Sequence, residues 1–369
     1  MLKDGIPSLD IGNLEIWPPI IQGGMGIRVS GAKLASAVAN TGCVGVIAST
    51  GIGMFESFSG KDLKDLAAFN GESLRSEIRK AKSMTSGIIG VNIMIALTDY
   101  ENLIKVSIEE GVDMLICGAG LPLELPKYLN GKNTKLIPIV SSAKALQLIC
   151  KRWQGRYNKL PDAVIVEGFD AGGHLGYSAE SLADGTAMKL EQIVEEVVAL
   201  SNSFEPKIPV IAAGGIFDGK DIARFLKLGA AGVQMATRFV CTDECDVDEK
   251  FKQAYLDAKE GDVTIIKSPV GLPGRVINNS FVEKIKQGLT MPFKCSYKCL
   301  RTCEPDKAPY CIANVLSKAS MGELDESFAF AGTNAYKCNE IIPVKALVDK
   351  LTQELASALA AEKQFSNAK

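Results

Sequence analysis

One histidine serves the whole chain. His174 sits in the stretch EGFDAGGHLGY (167–177), with Gly172 and Gly173 directly before it and Gly176 two places after. A neutral imidazole has a reference pKa near ~6.5 and can exchange a proton at working pH. Acid–base help of that kind is typically worth ~10²–10⁴ in rate. The glycines predict a flexible loop that brings the ring close to a bound ligand; a surface histidine in a turn is the bland alternative. Asp170 lies in the same loop and is a candidate to orient His174, although acids are also common turn formers. Lys267 and Arg275, around KSPVGLPGR, are candidates to meet an anionic substrate or a phosphate, or are solvated surface charge. Glu110 and Asp113 read as ordinary exposed residues.

Something must position these groups. Short, nearly unbroken apolar runs rich in Val and Ile recur at 18–24, 43–49, 88–94, 114–120, 136–142, 163–168, 209–215 and 232–240. Runs without polar alternation are the mark of parallel strands buried on both faces. Between them KLASAVANTG, NLIKVSIEEG, AKALQLICKRW, LEQIVEEVVALS and GKDIARFLKLG carry apolar residues at helical spacing. KDLKDLAAF, inside the long connection 51–87, predicts an extra helix. Eight such units predict an α/β fold, a closed (β/α)₈ TIM barrel over about residues 15–260, with an open doubly wound sheet as the alternative. The expected organisation is a barrel domain over 1–262 and a smaller extension over 263–369 that is rich in cysteine and ends in a helix.

In such barrels binding residues sit at the C-terminal ends of the strands. Here those ends are small and polar: Gln22-Gly23-Gly24-Met25, Asn92, Gly118-Ala119-Gly120, Ser141-Ser142, Glu167 to His174, Gly214-Gly215 and Gln234-Met235-Ala236-Thr237. Glycine at a strand end lets backbone approach a ligand. Loops after strands seven and eight, backed by helix N-termini, attract phosphate. A flat phosphate-bearing cofactor follows, and flavin mononucleotide (FMN) fits best. A nicotinamide nucleotide fits less well, because no G-x-G-x-x-G follows the first strand. For any single glycine pair, a tight turn is the simpler explanation.

Composition narrows the partners. The chain is 47% hydrophobic and 23% charged, with net charge −2. No basic surface for nucleic acid is implied. The apolar runs are far shorter than the ~20 residues that span a bilayer, and the N-terminus has no signal pattern. These features predict a cytoplasmic protein acting on a small-molecule substrate, with neither nucleic-acid nor membrane partners; a homodimer is left open. Cys295, Cys299, Cys303 and Cys311 fall in CSYKCLRTCEPDKAPYCIA. Four thiols so close suggest a Cys₄ zinc or iron–sulfur site, or a set of reduced thiols packing a small subdomain. The first three, four apart, are expected to share a helix face. The spacing matches no common C-x₂-C pattern, so no metal ligand set is assigned.

The motifs PIIQGGM (19–25), GVNIM (90–94), GAG (118–120), EGFDAGGHLG (167–176), IPVIAAGGIFDGKDIARFLKLGAAGVQMATRFV (208–240) and PVGLPGR (269–275) together resemble the nitronate monooxygenase (2-nitropropane dioxygenase) family, whose superfamily includes flavin-type enoyl-acyl-carrier-protein reductases. The resemblance covers about residues 15–280. It implies FMN bound noncovalently at the top of the barrel. Gly23, Gly24 and Met25 would set backbone against the isoalloxazine. Asn92 and Glu167 would contact the flavin. Gly172, Gly173, Gly214, Gly215, Gln234, Met235, Ala236 and Thr237 would hold the ribityl phosphate and ring edge. His174 would stand over the flavin and act on the substrate. The monooxygenases usually carry Gln where Glu167 stands, and the reductases often carry Glu. The expected activity is oxidation of alkyl nitronates by O₂ to carbonyl compounds and nitrite. The alternatives are NAD(P)H-dependent reduction of enoyl thioesters and a non-catalytic flavin sensor.

Overall fold

A computed structural model describes residues 2–3, 5–53, 63–295 and 297–367. Eight parallel strands form its centre: β1 (Ile20–Gln22), β2 (Gly45–Ala48), β3 (Ile89–Met94), β4 (Met114–Gly118), β5 (Lys135–Val140), β6 (Val164–Glu167), β7 (Val210–Ala213) and β8 (Gly232–Met235). Each pairs with its sequence neighbours, and β8 pairs with β1. The barrel closes between β1 and β2. There Gln22 N–H donates to Val44 O at 2.9 Å and Val44 N–H donates to Ile20 O at 3.1 Å. The Gln22 side chain is fully buried and accepts from Val46 N–H at 2.9 Å, so it ties the seam and stays out of the site.

The lumen is filled by alternate strand residues, among them Ile21, Val46, Ile116, Ile165 and Ile211. Leu9, Ile11 and Ile16, from a hairpin that precedes β1, pack into the same cluster. Because side chains alternate across a strand, an inward Ile165 makes Glu167 inward as well, one step nearer the C-terminal mouth. The same alternation turns Asn92 of β3 and Gln234 of β8 inward.

The outer ring runs α1 (Ala32–Ala39), α2 (Leu63–Met84), α3 (Tyr100–Glu109), α4 (Ala143–Tyr157), α5 (Leu190–Ser201) and α6 (Gly219–Lys227). KDLKDLAAF is helical from Leu63 onward, as its pattern predicts. Those residues open the 22-residue α2, while Lys61 and Asp62 lie outside the described residues. Glu110, expected to be exposed, is held by Arg75 at 2.5 Å and Arg79 at 2.8 Å, which tie α2 to the end of α3. Asp113 accepts from Ile89 N–H at 2.8 Å.

After β8 the chain forms only a four-residue helix, Thr237–Val240, before α7 (Glu249–Asp257). The place beside α6 and α1 is taken instead by the C-terminal helix α9 (Val344–Asn367). Its Leu347, Leu351 and Leu355 are buried in one core with Ile222 and Phe225 of α6. A boundary at residue 262 therefore divides the sequence but not the structure. The barrel's hydrophobic flank, left bare after β8, needs an apolar helix face, and the extension supplies it.

Candidate active site

The C-terminal mouth of the barrel opens into a cavity of about 280 Å³. On the barrel side Gly23, Gly24 and Met25 follow β1, and Asn92 ends in it from β3. Glu167 and the segment Gly172, Gly173 and His174 follow from β6. Gly214 and Gly215 after β7, and Gln234, Met235, Ala236 and Thr237 at the end of β8, complete that side. All the residues singled out in the sequence as cofactor contacts or catalyst thus line one space. Gly120 and the Ser141-Ser142 pair, also at strand ends, do not line it. Ser142 caps α4, accepting from Ala145 N–H at 3.3 Å.

The opposite wall comes from the extension: Val270, Leu300, Ile312, Leu316 and Phe330. Val270 lies in the PVGLPGR motif and Leu300 and Ile312 in the cysteine-rich stretch, but nothing local marked any of the five as cavity wall, because their meeting with the barrel mouth is long-range. Lining side chains are mostly apolar there and polar on the rim, the usual division in a ligand cavity.

His174 is not in a flexible loop. Gly173 and His174 form a two-residue strand that pairs antiparallel with Arg275 and Gly274, on a strand at Pro273–Ile277. His174 Nε2 stands 2.8 Å from Ser268 Oγ. The Phe330 ring packs edge-on against the imidazole, with centroids 5.0 Å apart. Ser268 Oγ also accepts from Val270 N–H at 3.3 Å and still has a proton that it can give to Nε2. In that arrangement the ring proton sits on Nδ1. Burial depresses the histidine pKa to about 4, so the ring is neutral at ordinary pH. Ser268, not Asp170, is its hydrogen-bonding partner.

Asp170 and Arg275 play other parts. The buried Arg275 guanidinium donates to Phe169 O at 2.7 Å and Ala171 O at 3.2 Å. It clamps the histidine segment from behind, as two backbone carbonyls can be clamped by one planar fork, and does not reach the cavity. Asp170 O accepts from Thr333 N–H at 3.1 Å, and Asn334 Nδ2 donates to Gly215 O at 2.7 Å. The extension thereby fastens the loops after β6 and β7. Lys267 is exposed and is absent from the cavity wall.

Two glycines are needed for close approach. A Cβ on Gly24 would fall 2.3 Å from Asn92 Cβ, and one on Gly172 would fall 2.6 Å from the Ala331 carbonyl carbon. The first lets Asn92 into the mouth; the second lets the extension lie on the histidine segment. The helix N-terminus expected to back a phosphate is already occupied. Asp218 caps α6 by accepting from Lys220 and Asp221 N–H, both at 2.9 Å, and Gly219 N–H donates to Glu354 of α9 at 3.0 Å. Any phosphate here would rely on the loops at Gly214–Gly215 and Ala236–Thr237.

Two polar groups in the mouth are unusual. Burial pushes the Glu167 carboxyl up to about 7, where it exchanges protons near neutrality. Gln234 Oε1 is buried with no hydrogen-bond partner in the protein. Leaving such an acceptor unpaired costs about 1–3 kcal/mol, so the position suits a ligand N–H. A flat heteroaromatic ring with an N–H edge, laid over the glycine-lined rim, fits the donors and acceptors present.

The chain is similar to several known proteins. A curated CoA-ester dehydrogenase of Mycobacterium tuberculosis, "(3aS,4S,5R,7aS)-5-hydroxy-7a-methyl-1-oxo-octahydro-1H-indene-4-carboxyl-CoA dehydrogenase", is 33% identical over 74% of this chain and 67% of its own length. A probable nitronate monooxygenase of Staphylococcus aureus is 30% identical over 74% of this chain and 79% of its own. The solved structure of FabK from Thermotoga maritima superposes with a TM-score of 0.75 at 30% identity, covering 95% of this chain and 97% of that one. The sequence profile of the nitronate monooxygenase family matches residues 8–354, from the plugging hairpin into the helix that completes the ring. The barrel, the cavity at its mouth and this match through barrel and extension together make the chain an oxidoreductase of the nitronate monooxygenase family.

Proposed function

We propose that the protein is an FMN-dependent oxidoreductase that oxidises alkyl nitronates with O₂ to carbonyl compounds and nitrite. The unpartnered Gln234 Oε1 in a glycine-lined mouth carries the flavin part of this reading. Gln234 would accept from a ring N–H, Asn92 and Glu167 would meet the ring's polar edge, and Gly214, Gly215, Ala236 and Thr237 would take the phosphate end. Bound there, FMN supplies the electron transfer and oxygen chemistry. The chain's own residues do the rest. His174, neutral and fixed through Nε2, presents a proton-bearing Nδ1 edge to a nitro or carbonyl oxygen. The wall of Val270, Leu300, Leu316 and Phe330 takes up the alkyl group and keeps water from the reacting carbon.

Two observations favour a second reading, reduction of an unsaturated acyl thioester at the expense of NAD(P)H. One is the likeness to FabK over nearly the whole of both chains. The other is the near-neutral carboxyl of Glu167, a proton source that nitronate oxidation does not require.

The deciding experiment mixes the purified yellow protein anaerobically with each reductant and follows the flavin absorbance. Bleaching by propionate 3-nitronate or an alkyl nitronate, with oxygen uptake on admission of air, supports the first reading. Bleaching by NADH or NADPH and reoxidation by a crotonyl thioester supports the second. FAD released on denaturation, or a colourless protein that does not take up FMN, overturns the flavin assignment.

A further inference from the structure

The four clustered cysteines do not share a helix face. None of the described residues between 291 and 303 is helical, and only Cys311 touches a helix, at the N-cap of α8 (Ile312–Ser320). Folding nonetheless gathers them. Cys295, Cys299 and Cys311 line a second cavity of about 200 Å³. Burial first, then the nearness of Cys311, Cys295 and Cys303, pushes the Cys299 thiol up to about 12. Cys303, outside that lining, lies within electrostatic reach of Cys295 and Cys311 and is raised first by burial and then by them.

A few donors and positive charges face the sulfurs. Lys298 N–H donates to Cys295 Sγ at 3.3 Å. Burial raises the Cys311 thiol, and the N–H groups of Asn314 and Ala313 offset part of that rise. Lys294 lines the cavity, and the Lys298 charge favours the thiolate of Cys303.

Geometry separates the metal chemistries. Four soft sulfur ligands select zinc or iron–sulfur. A tetrahedral zinc at ~2.3 Å from each sulfur draws its ligands to within about 4 Å of one another. Among the described residues no three His, Cys, Asp or Glu side chains converge closely enough to hold a single ion. Sulfurs ranged around a cavity much larger than an ion match a polynuclear centre, whose ligands attach at separate corners.

We propose that Cys295, Cys299, Cys303 and Cys311 ligate an iron–sulfur cluster of the [4Fe–4S] type. The site is distinct from the barrel mouth, yet Cys299 and Ala313 form part of both cavity walls. The cluster therefore shares a wall with the proposed flavin cavity, and its existence does not depend on the flavin reading.

The test is anaerobic purification followed by reconstitution with ferrous iron and sulfide. Wild-type protein should hold about four iron and four acid-labile sulfide per chain, with an electron paramagnetic resonance signal after dithionite reduction. Cys303→Ser and Cys295→Ser should each lose most of the iron and the signal. Far-ultraviolet circular dichroism and the thermal midpoint of the same samples report whether each variant is folded, and a retained fold with lost iron supports the assignment. Wild-type protein that holds no iron and sulfide after reconstitution, that carries stoichiometric zinc instead, or that keeps its full cluster in both variants overturns it.

Discussion

His174 Nε2 and Ser268 Oγ lie 2.8 Å apart across 94 positions of sequence. That bond joins the segment after β6 to the extension and holds the imidazole through Nε2. It makes Ser268 a positioning residue. Its hydroxyl acts on the substrate only through the ring it holds.

Replacing His174 with Ala should lower turnover by ~10²–10⁴ while flavin content stays near wild type. Ser268→Ala removes one neutral hydrogen bond worth about 0.5–1.5 kcal/mol and should lower kcat by about 3- to 10-fold, with KM little changed. Both are read by steady-state kinetics on the best substrate. With its pKa lowered by burial to about 4, His174 is neutral from pH 5 upward. The rate profile should therefore show no histidine limb near pH ~6.5. A limb there that vanishes in His174→Ala would mean the ring is solvated in the working enzyme.

Glu167 makes stability depend on pH. Its folded pKa, raised by burial from 4.5 to about 7, means that the folded state holds a proton the unfolded state has released between those values. Its contribution is full below about pH 4.5 and is lost as pH rises through about 7. His174 acts oppositely, its contribution being present above 6.5 and lost as pH falls through about 4. Glu167→Gln should remove the first dependence. In flavin-free protein, the stability of the variant relative to wild type should rise by about 2–3 kcal/mol from pH 4.5 to 7.5. Denaturant titrations at several pH values measure it, and a constant difference would place the carboxyl in water.

Gly24→Ala puts a methyl group 2.3 Å from Asn92 Cβ, an overlap that backbone movement must relieve. FMN content and Tm should both fall. Asn92→Gly added to Gly24→Ala removes the opposing carbon and should restore much of the Tm, though not the polar contact to the ligand. Differential scanning fluorimetry of the two variants settles whether the contact limits this position.

The ring-closing role of α9 predicts a stability effect far from the site. Leu351 is fully buried. Leu351→Ala should cost about 2–5 kcal/mol by lost burial and an unfilled cavity. Among folded molecules at low temperature, specific activity should be almost unchanged. A loss below ~0.5 kcal/mol would show that α9 lies loosely on the barrel.

Much of this molecule was legible in its residues. Apolar runs of strand length between amphipathic segments determined an eight-unit barrel, because strands buried on both faces cannot alternate in polarity. Most of the small polar residues at strand ends lie on the cavity rim, since a strand's end needs no long-range contact to be placed there, but Gln22, Gly120, Ser141 and Ser142 do not. The terminal amphipathic helix was also plain. Where it packs was not, because an apolar stripe shows that a helix is covered but not by what.

Tertiary structure alone decided the rest. Ser268, Phe330 and Asn334 meet the barrel mouth through contacts dozens of residues long, and nothing local marks them. The pKa values of Glu167 and His174 follow from burial, which a loop sequence does not display. Arg275 shows the limit most clearly. In sequence it is a charge near a glycine-rich loop. In the folded protein it is buried beneath the histidine segment, bonded to two backbone carbonyls, because only the closed barrel and its extension bring those carbonyls within reach of one guanidinium.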